Sequence, residues 1–423
     1  MKLSIKISLY IITLFFTLLS LFCQVAPLEG YDYFYQVISV SSPSDFVYLV
    51  STFFITYSIM QLPGGILLDK YGVKFVVPIA LFITLCGVAL YWYSGNKFEL
   101  VTGRLLTGIG CSVAYVSAVY VASKFFPLAV LPLLIGLIEG GSTAGSIVAT
   151  SPLQNALNVL GWDSTGVIVC VFTATLMLGS LALSRFIPDK KGLKTHSLTQ
   201  LTIDAFKLFT NKKLLLIFLY SLCTWLIVMS FPGYWLKDYL IHVHSYQVEK
   251  ALTYINYYWV SLLLASLLLG CIVHNLTIAR WALVLSAGIG FAAYIYLATP
   301  TVLGDLKIIF ILIVSGASAA GVVIAFSLIP YFTQSDSCGS ALALNNTFVV
   351  FGGYLGQILF GFVLDHYNIT NQVNFITEEQ LLANSTYYSA MLIYLLFSGV
   401  ALVLAGRLFF ITKRLTVNQS ANC

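Results

Sequence analysis

The chain has 423 residues, 59% of them hydrophobic and only 9% charged, with a formal net charge of +5. Soluble domains carry about 25% charged residues, so this composition cannot cover a water-facing surface and predicts an integral membrane protein embedded in a lipid bilayer. The basic residues are dispersed over the loops, which gives no face for nucleic acid. The eight cysteines show no C-x-x-C pair and read as small core residues.

Charged residues punctuate the sequence, and the apolar runs between them are long enough to cross a bilayer, which takes about 20 residues. The first uncharged run, Ile7 to Leu28, has 22 residues. That exceeds a signal-peptide core of about 7–15 residues, so it is expected to be span 1. Span 2 lies between Asp45 and Asp69, span 3 between Lys74 and Lys97, and span 4 between Glu99 and Lys124. Span 5 covers roughly Val130 to Leu153 and is interrupted by Glu139; span 6 lies between Asp163 and Arg185. After a polar, basic stretch come six more spans, bounded by Lys213, Lys237, Lys250, Arg280, Asp305, Lys307, Asp336, Asp365, Glu379 and Arg407. The expected division is a six-helix bundle over 1–186, a cytoplasmic linker over 187–213, a second six-helix bundle over 214–410 and a cytoplasmic tail over 411–423. The fold class is all-α: twelve transmembrane helices in two pseudo-symmetric bundles.

Lysine and arginine placement sets the orientation. With the N-terminus inside, the outer loops hold only Lys97, Lys237, Lys250 and Lys307, against sixteen basic residues at the inner ends. Both termini and the linker are therefore expected in the cytoplasm, in a plasma or bacterial inner membrane. A weak internal repeat supports six plus six. Span 5 carries Gly140-Gly141-Ser142-Thr143-Ala144-Gly145, and span 11, its counterpart, carries Gly352-Gly353-Tyr354-Leu355-Gly356. Both put small residues on a helix face, where helices can approach closely.

The stretch from Gln61 to Lys74 closes span 2 and opens span 3. It predicts a hairpin of about five residues that forces the two spans antiparallel. Gly64 and Gly65 remove bulk where Asp69 must approach another element. Gly65, Leu67, Asp69, Lys70, Gly72 and Lys74 resemble the G-x-L-x-D-[RK]-x-G-[RK] loop between helices 2 and 3 of the major facilitator superfamily (MFS) of secondary transporters. Val73 departs from it, standing where a basic residue usually follows the second glycine. Gly103-Arg104, followed by Gly108 and Gly110, resembles the R-x-x-x-G-x-G motif of the family's helix 4. The resemblance implies that Gly65, Asp69, Lys70, Gly72 and Lys74 form a gate. Asp69 would face the cytoplasmic, N-terminal end of helix 11 near Ser340 and latch the two bundles. A solvated loop charge is the other reading of Asp69.

Glu139 is the only carboxylate well inside an expected span, and Arg104 is a charge inside another. Such residues are costly in a bilayer and are rarely idle. Glu139 is the first candidate proton-coupling residue, and the family resemblance implies that Arg104 takes part in proton coupling as well. The alternatives are a structural hydrogen-bonding glutamate, paired with Arg104, and an arginine that only anchors its helix. The family's antiporter motif combines glycines with a Gly-Pro pair. Gly136, Gly140, Gly141 and Gly145 have no proline among them, so antiport is not inferred.

The family's cavity is lined chiefly by helices 1, 4, 7 and 10. Candidate substrate-binding residues are Gln24, Tyr57, Tyr115, Tyr120, Trp225, Asn256, Tyr257, Asn345 and Asn346. Uncharged amides and phenols suit a neutral or zwitterionic solute. Two adjacent amides in one span are expensive unless they find polar partners. Pro232 and Pro330 are candidate bending points. No metal-ligand cluster, nucleotide-binding motif or nucleophile–base pair is visible, so no metal, cofactor or enzymatic activity is expected. The resemblance implies a monomeric alternating-access transporter of a small organic solute, driven by protons, with nutrient uptake, such as of an amino acid, as the first reading. Drug or metabolite efflux by antiport, and a transporter-like sensor without flux, are the alternatives.

Overall fold

The structure, a computed structural model, describes residues 2–38, 43–187, 198–299, 303–334, 337–371 and 379–420. Much of the expected linker, with Lys190, Lys191 and Lys194, lies outside the described residues, as does the end of the expected tail, 421–423. All regular elements among the described residues are helical. Among the described residues, twelve helical stretches are long and apolar enough to span a membrane. Their outer faces are oily: Val167, Ile168, Val171, Leu178 and Leu181 on one helix are all more than half exposed. Such a face is stable against lipid and untenable against water.

The chain divides into two compact units. Unit 1 holds residues 1–208 with 333–346; unit 2 holds 209–332 with 347–423. Unit 1 contains α1 (Leu3–Val25), α2 (Tyr31–Ile38), α3 (Pro43–Tyr71), α4 (Val73–Trp92), α5 (Lys97–Cys111), α6 (Ala114–Phe125), α7 (Leu131–Val148), α8 (Ser151–Leu160), α9 (Trp162–Ser184) and α10 (Leu198–Lys207). Unit 2 contains α11 (Lys212–Ser230), α12 (Leu236–His244), α13 (Val248–Ile272), α14 (Leu276–Leu297), α15 (Asp305–Ala319) and α16 (Gly321–Leu328). Helix α17 (Cys338–Asn371) begins in unit 1 and continues in unit 2, and α18 (Glu379–Ser420) belongs to unit 2.

Asparagines start three of the spans. Asn96 accepts from the Glu99 amide (3.0 Å), Asn211 from Lys213 (3.1 Å) and Asn275 from Ile278 (2.9 Å). Each satisfies one of the amides a helix start leaves without an intrahelical partner. The Glu99 carboxylate also reaches back to the Gly95 amide at 2.8 Å.

Several spans are broken. Span 4 is interrupted between α5 and α6 at Ser112–Val113, and span 10 between α15 and α16 at Ala320. Pro232 lies in a π-helical turn, Phe231–Trp235, where the Leu236 amide reaches back to the Phe231 carbonyl. Pro330 lies in a 3-10 turn, Ile329–Tyr331. Proline lacks the donor that would continue the regular ladder.

The glycines of spans 5 and 11 do matching jobs inside their own units. In unit 1, added side-chain carbons at Gly141 and Gly145 would collide with Leu14 and Leu18 of α1. In unit 2, the same carbons at Gly352 and Gly356 would collide with Leu222 and Leu226 of α11. Both pairs are spaced by four residues, so each glycine pair forms one close-packed stripe.

The turn between spans 2 and 3 is tighter than the five-residue hairpin expected from sequence. Helix α3 runs to Tyr71 and α4 starts at Val73, leaving Gly72 alone between them. Gly72 has φ +70°, a conformation that disfavours other residues. Its amide donates to the Leu68 carbonyl at 2.9 Å. Asp69 and Lys70 are thus helical, and Asp69 is fixed by its partners on α17.

Candidate functional site

Besides the Glu139–Tyr115 pair, three polar groups lie buried in unit 1. The first surrounds Asp69, which is only 6% exposed. The Gly339 amide donates to its Oδ1 at 2.8 Å, and the Ser340 amide and hydroxyl donate to its Oδ2 at 2.7 and 2.6 Å. These donors belong to the first turn of α17, whose amides have no intrahelical partner and carry the positive end of the helix dipole. Gly65 makes the approach possible: a side-chain carbon there would sit 2.7 Å from the Gly339 carbonyl oxygen. Gly64 instead faces Val113 of span 4. Lys70 lies over the Tyr71 ring at 5.2 Å and Lys74 over Phe75 at 5.4 Å.

The second group centres on Arg104, 2% exposed on α5. Its Nε donates to the Val50 carbonyl of α3 at 2.8 Å, and its Nη1 to the Cys23 carbonyl of α1 at 2.7 Å. The Cys23 carbonyl is open to it for a simple reason. The residue four positions on, which would donate to it in a helix, is Pro27. The guanidinium also stacks over Phe53 at 4.8 Å and lies 5.8 Å from the Tyr91 ring centre, as a cation favours. Among the described residues it forms no ion pair.

Glu139, 3% exposed on α7, accepts from the Tyr115 hydroxyl of α6 at 2.9 Å. The pairing of Glu139 with Arg104 considered from sequence does not form. Carbonyls and rings occupy the arginine, and a phenol occupies the carboxyl. Tyr120 is buried nearby in sequence on α6, with Lys124 at 5.9 Å from its ring centre.

The third group continues from the arginine. Phe53 stacks on Tyr57 at 5.3 Å. The Asn346 amide donates to Gln61 Oε1 at 3.0 Å and to the Tyr57 hydroxyl at 3.5 Å. Its neighbour Asn345 is fully buried, and among the described residues neither of its amide atoms has a hydrogen-bond partner; nor has Gln61 Nε2. Gln61 was not singled out from sequence, although it follows Tyr57 by four residues and so shares its helix face.

The other candidates are dispersed. Gln24 is half-buried in the last turn of α1. In unit 2, Trp225 is half-buried against Val228 and Tyr258. Asn256 and Tyr257 are exposed, whereas the next residue, Tyr258, is fully buried. One residue is about 100° of helix rotation, and the sequence alone gave no reason to prefer 258.

A family model described as Major Facilitator Superfamily matches residues 7–357. The chain belongs to the major facilitator superfamily. It is 29% identical over 115 residues to the "Probable anion transporter 6, chloroplastic" of Arabidopsis thaliana, covering 27% of this chain and 22% of that protein. It is 28% identical over 137 residues to the "Probable L-galactonate transporter" of Escherichia coli strain K12, covering 32% and 30%. The match thus spans less than a third of either relative. The fold is similar to that of the MFS proton:xylose symporter XylE, with TM-score 0.70, 13% identity and coverage of 93% and 95% of the two chains. This MFS chain is accordingly a multi-pass membrane protein with twelve apolar helices, of a superfamily of solute transporters.

Proposed function

We propose that this chain carries a small, polar organic solute across its membrane by alternating access, coupled to protons. The observation that carries the reading is the buried amide of Asn345, without partners among the described residues, next in sequence to Asn346 of the Tyr57–Gln61–Asn346 network. A buried amide left unpaired costs about 1–3 kcal/mol, and a solute with hydroxyl or carbonyl groups would remove that cost. Tyr115 and Tyr120 supply further phenols in unit 1.

The substrate class leans toward organic anions rather than the amino acids first considered. The names of both sequence relatives point to anions. In this chain Arg104 carries a buried charge whose partners among the described residues are carbonyls and rings. Glu139 is the proposed proton carrier, since its carboxyl meets a phenol that can serve either protonation state. Asp69 is the proposed gate: its three bonds to the first turn of α17 would break and re-form as the cytoplasmic side opens and closes. Lys70, Lys74, Gly65 and Gly72 shape that gate. We place both termini in the cytoplasm on the lysine and arginine bias.

Proteoliposomes test the proposal. Organic anions, sugars and amino acids are screened by counterflow of labelled solute. The transported solute should then alkalinise the side from which it is taken up. Glu139→Gln should lose accumulation driven by a pH gradient while keeping exchange. No counterflow with any of the three classes, or gradient-driven accumulation that survives Glu139→Gln, would overturn it.

A further inference from the structure

Unit 2 encloses a cavity of about 30 Å³ among α11, α13, α14, α15 and α18 that plays no part in the reading above. A water-sized guest needs roughly 10–15 Å³ of such space, so one or two fit and a sugar does not. The lining contains hydroxyls and no carboxylate among the described residues.

Four of the lining hydroxyls have their protons committed to backbone carbonyls, and Ser286, Tyr220, Tyr258 and Tyr294 bring further hydroxyls to the cavity. Thr224 donates to the Tyr220 carbonyl at 3.0 Å, Ser315 to Leu312 at 3.1 Å, Ser318 to Ser315 at 2.7 Å and Ser398 to Leu395 at 3.0 Å. A hydroxyl has one proton and two lone pairs, so these four side chains offer the cavity acceptors only. Tyr258, fully buried, also lines it, and its hydroxyl forms no hydrogen bond of good geometry.

A second feature converges on the same point. Span 10 is broken at Ala320, and Ser315, Ser318 and Ala319 of the last turn of α15 line the cavity. At the break the ladder tightens: the Ala320 amide donates to the Ala317 carbonyl at 3.3 Å and the Val323 amide to the Ala320 carbonyl at 3.0 Å, and each carbonyl keeps a second lone pair for a guest. Beyond the break, Gly321 lies so close to the Tyr220 hydroxyl that a side-chain carbon there would collide with it. Acceptor oxygens, an interrupted helix and a volume for one small guest describe a cation. Interrupted helices supply such ion sites in other transporter folds. Without a carboxylate the site cannot offset a divalent charge.

We propose that this cavity binds a single dehydrated sodium-sized monovalent cation, giving the protein an ion site separate from Glu139. The test uses the melting temperature of the full-length purified protein in equimolar sodium, potassium or choline chloride. Sodium should raise it saturably, by on the order of 2–4 °C, with little effect of potassium. The double variant Thr224→Val, Ser318→Ala should lose the rise and keep the choline value. If that variant does not fold, Ser398→Ala should raise the half-saturating sodium concentration about tenfold. A melt indifferent to the cation would mean that the cavity holds water and would overturn the proposal. So would an equal rise in all three salts, or a sodium response unchanged in the variants. Because the readout is stability, failure here leaves the transport proposal to its own experiment.

Discussion

Replacing Asp69 by Asn removes a charge and turns one of its two acceptor atoms into a donor. The wild-type carboxylate receives three hydrogen bonds from Gly339 and Ser340. Asparagine can keep the bond at one oxygen. At the other position its NH₂ would face the Ser340 amide, donor against donor, although the Ser340 hydroxyl can rotate to accept. A hydrogen bond to a charged group is worth about 1.5–3 kcal/mol, and the helix dipole adds up to ~2 kcal/mol when the charge is partly buried. A net loss of about 2–3 kcal/mol is a roughly 30- to 150-fold rise in the population with the first turn of α17 released. A native reporter stands beside this contact. Cys338 is 7% exposed, with its sulfur 3.8 Å from the Ser123 hydroxyl. In a background retaining Cys338 alone, its alkylation rate should track the released population where release is fast. Asp69→Asn should accelerate alkylation about 30- to 150-fold, and Ser340→Ala by less. A folded Asp69→Asn protein whose Cys338 reacts within threefold of the wild-type rate would show that these bonds do not hold α17.

Gly145→Leu places bulk against the Leu18 backbone and should destabilise unit 1 by about 1–3 kcal/mol, read as a lower melting temperature; Gly356→Leu should do the same in unit 2. Gly72→Ala should cost about 1–3 kcal/mol, because φ +70° with ψ 175° is a conformation essentially reserved for glycine, with denaturant or thermal unfolding as the measure. Arg104→Lys keeps the charge but cannot hold the Cys23 and Val50 carbonyls in the same fork. It should lower stability without changing the net charge, and an unchanged melt would refute the bracing role. Cysteines introduced at Asp189 and Thr370 should react with impermeant reagents from opposite faces of the membrane.

The spans were legible because charge is so scarce: a handful of lysines, arginines and carboxylates marks nearly every boundary. Asp69 was legible as a gate candidate only through a resemblance, since nothing local in the sequence points to Gly339, 270 positions away. The partner of Glu139 was not legible. Tyr115 lies on a different helix, and many phenols in this chain would have served. The arginine's partners were half legible, because Pro27 leaves the Cys23 carbonyl without its usual donor. Helix breaks such as Ala320 were hidden, since an apolar run reads the same whether or not its hydrogen-bond ladder is continuous. The hydroxyl cavity was missed for a related reason. Scattered serines in spans look like small packing residues until the fold brings them together.

The grip of Arg104 on α1 and α3 bears on how the protein is made. A helix bearing an arginine inside its apolar span, as in the second turn of α5, enters lipid at a cost of up to about 2.5–3.5 kcal/mol when alone. Its two carbonyl acceptors belong to helices synthesised earlier. The fourth span is therefore best received by neighbours already in the bilayer. Damage to the first span should then appear as failed insertion of the fourth, before any transport defect could be measured.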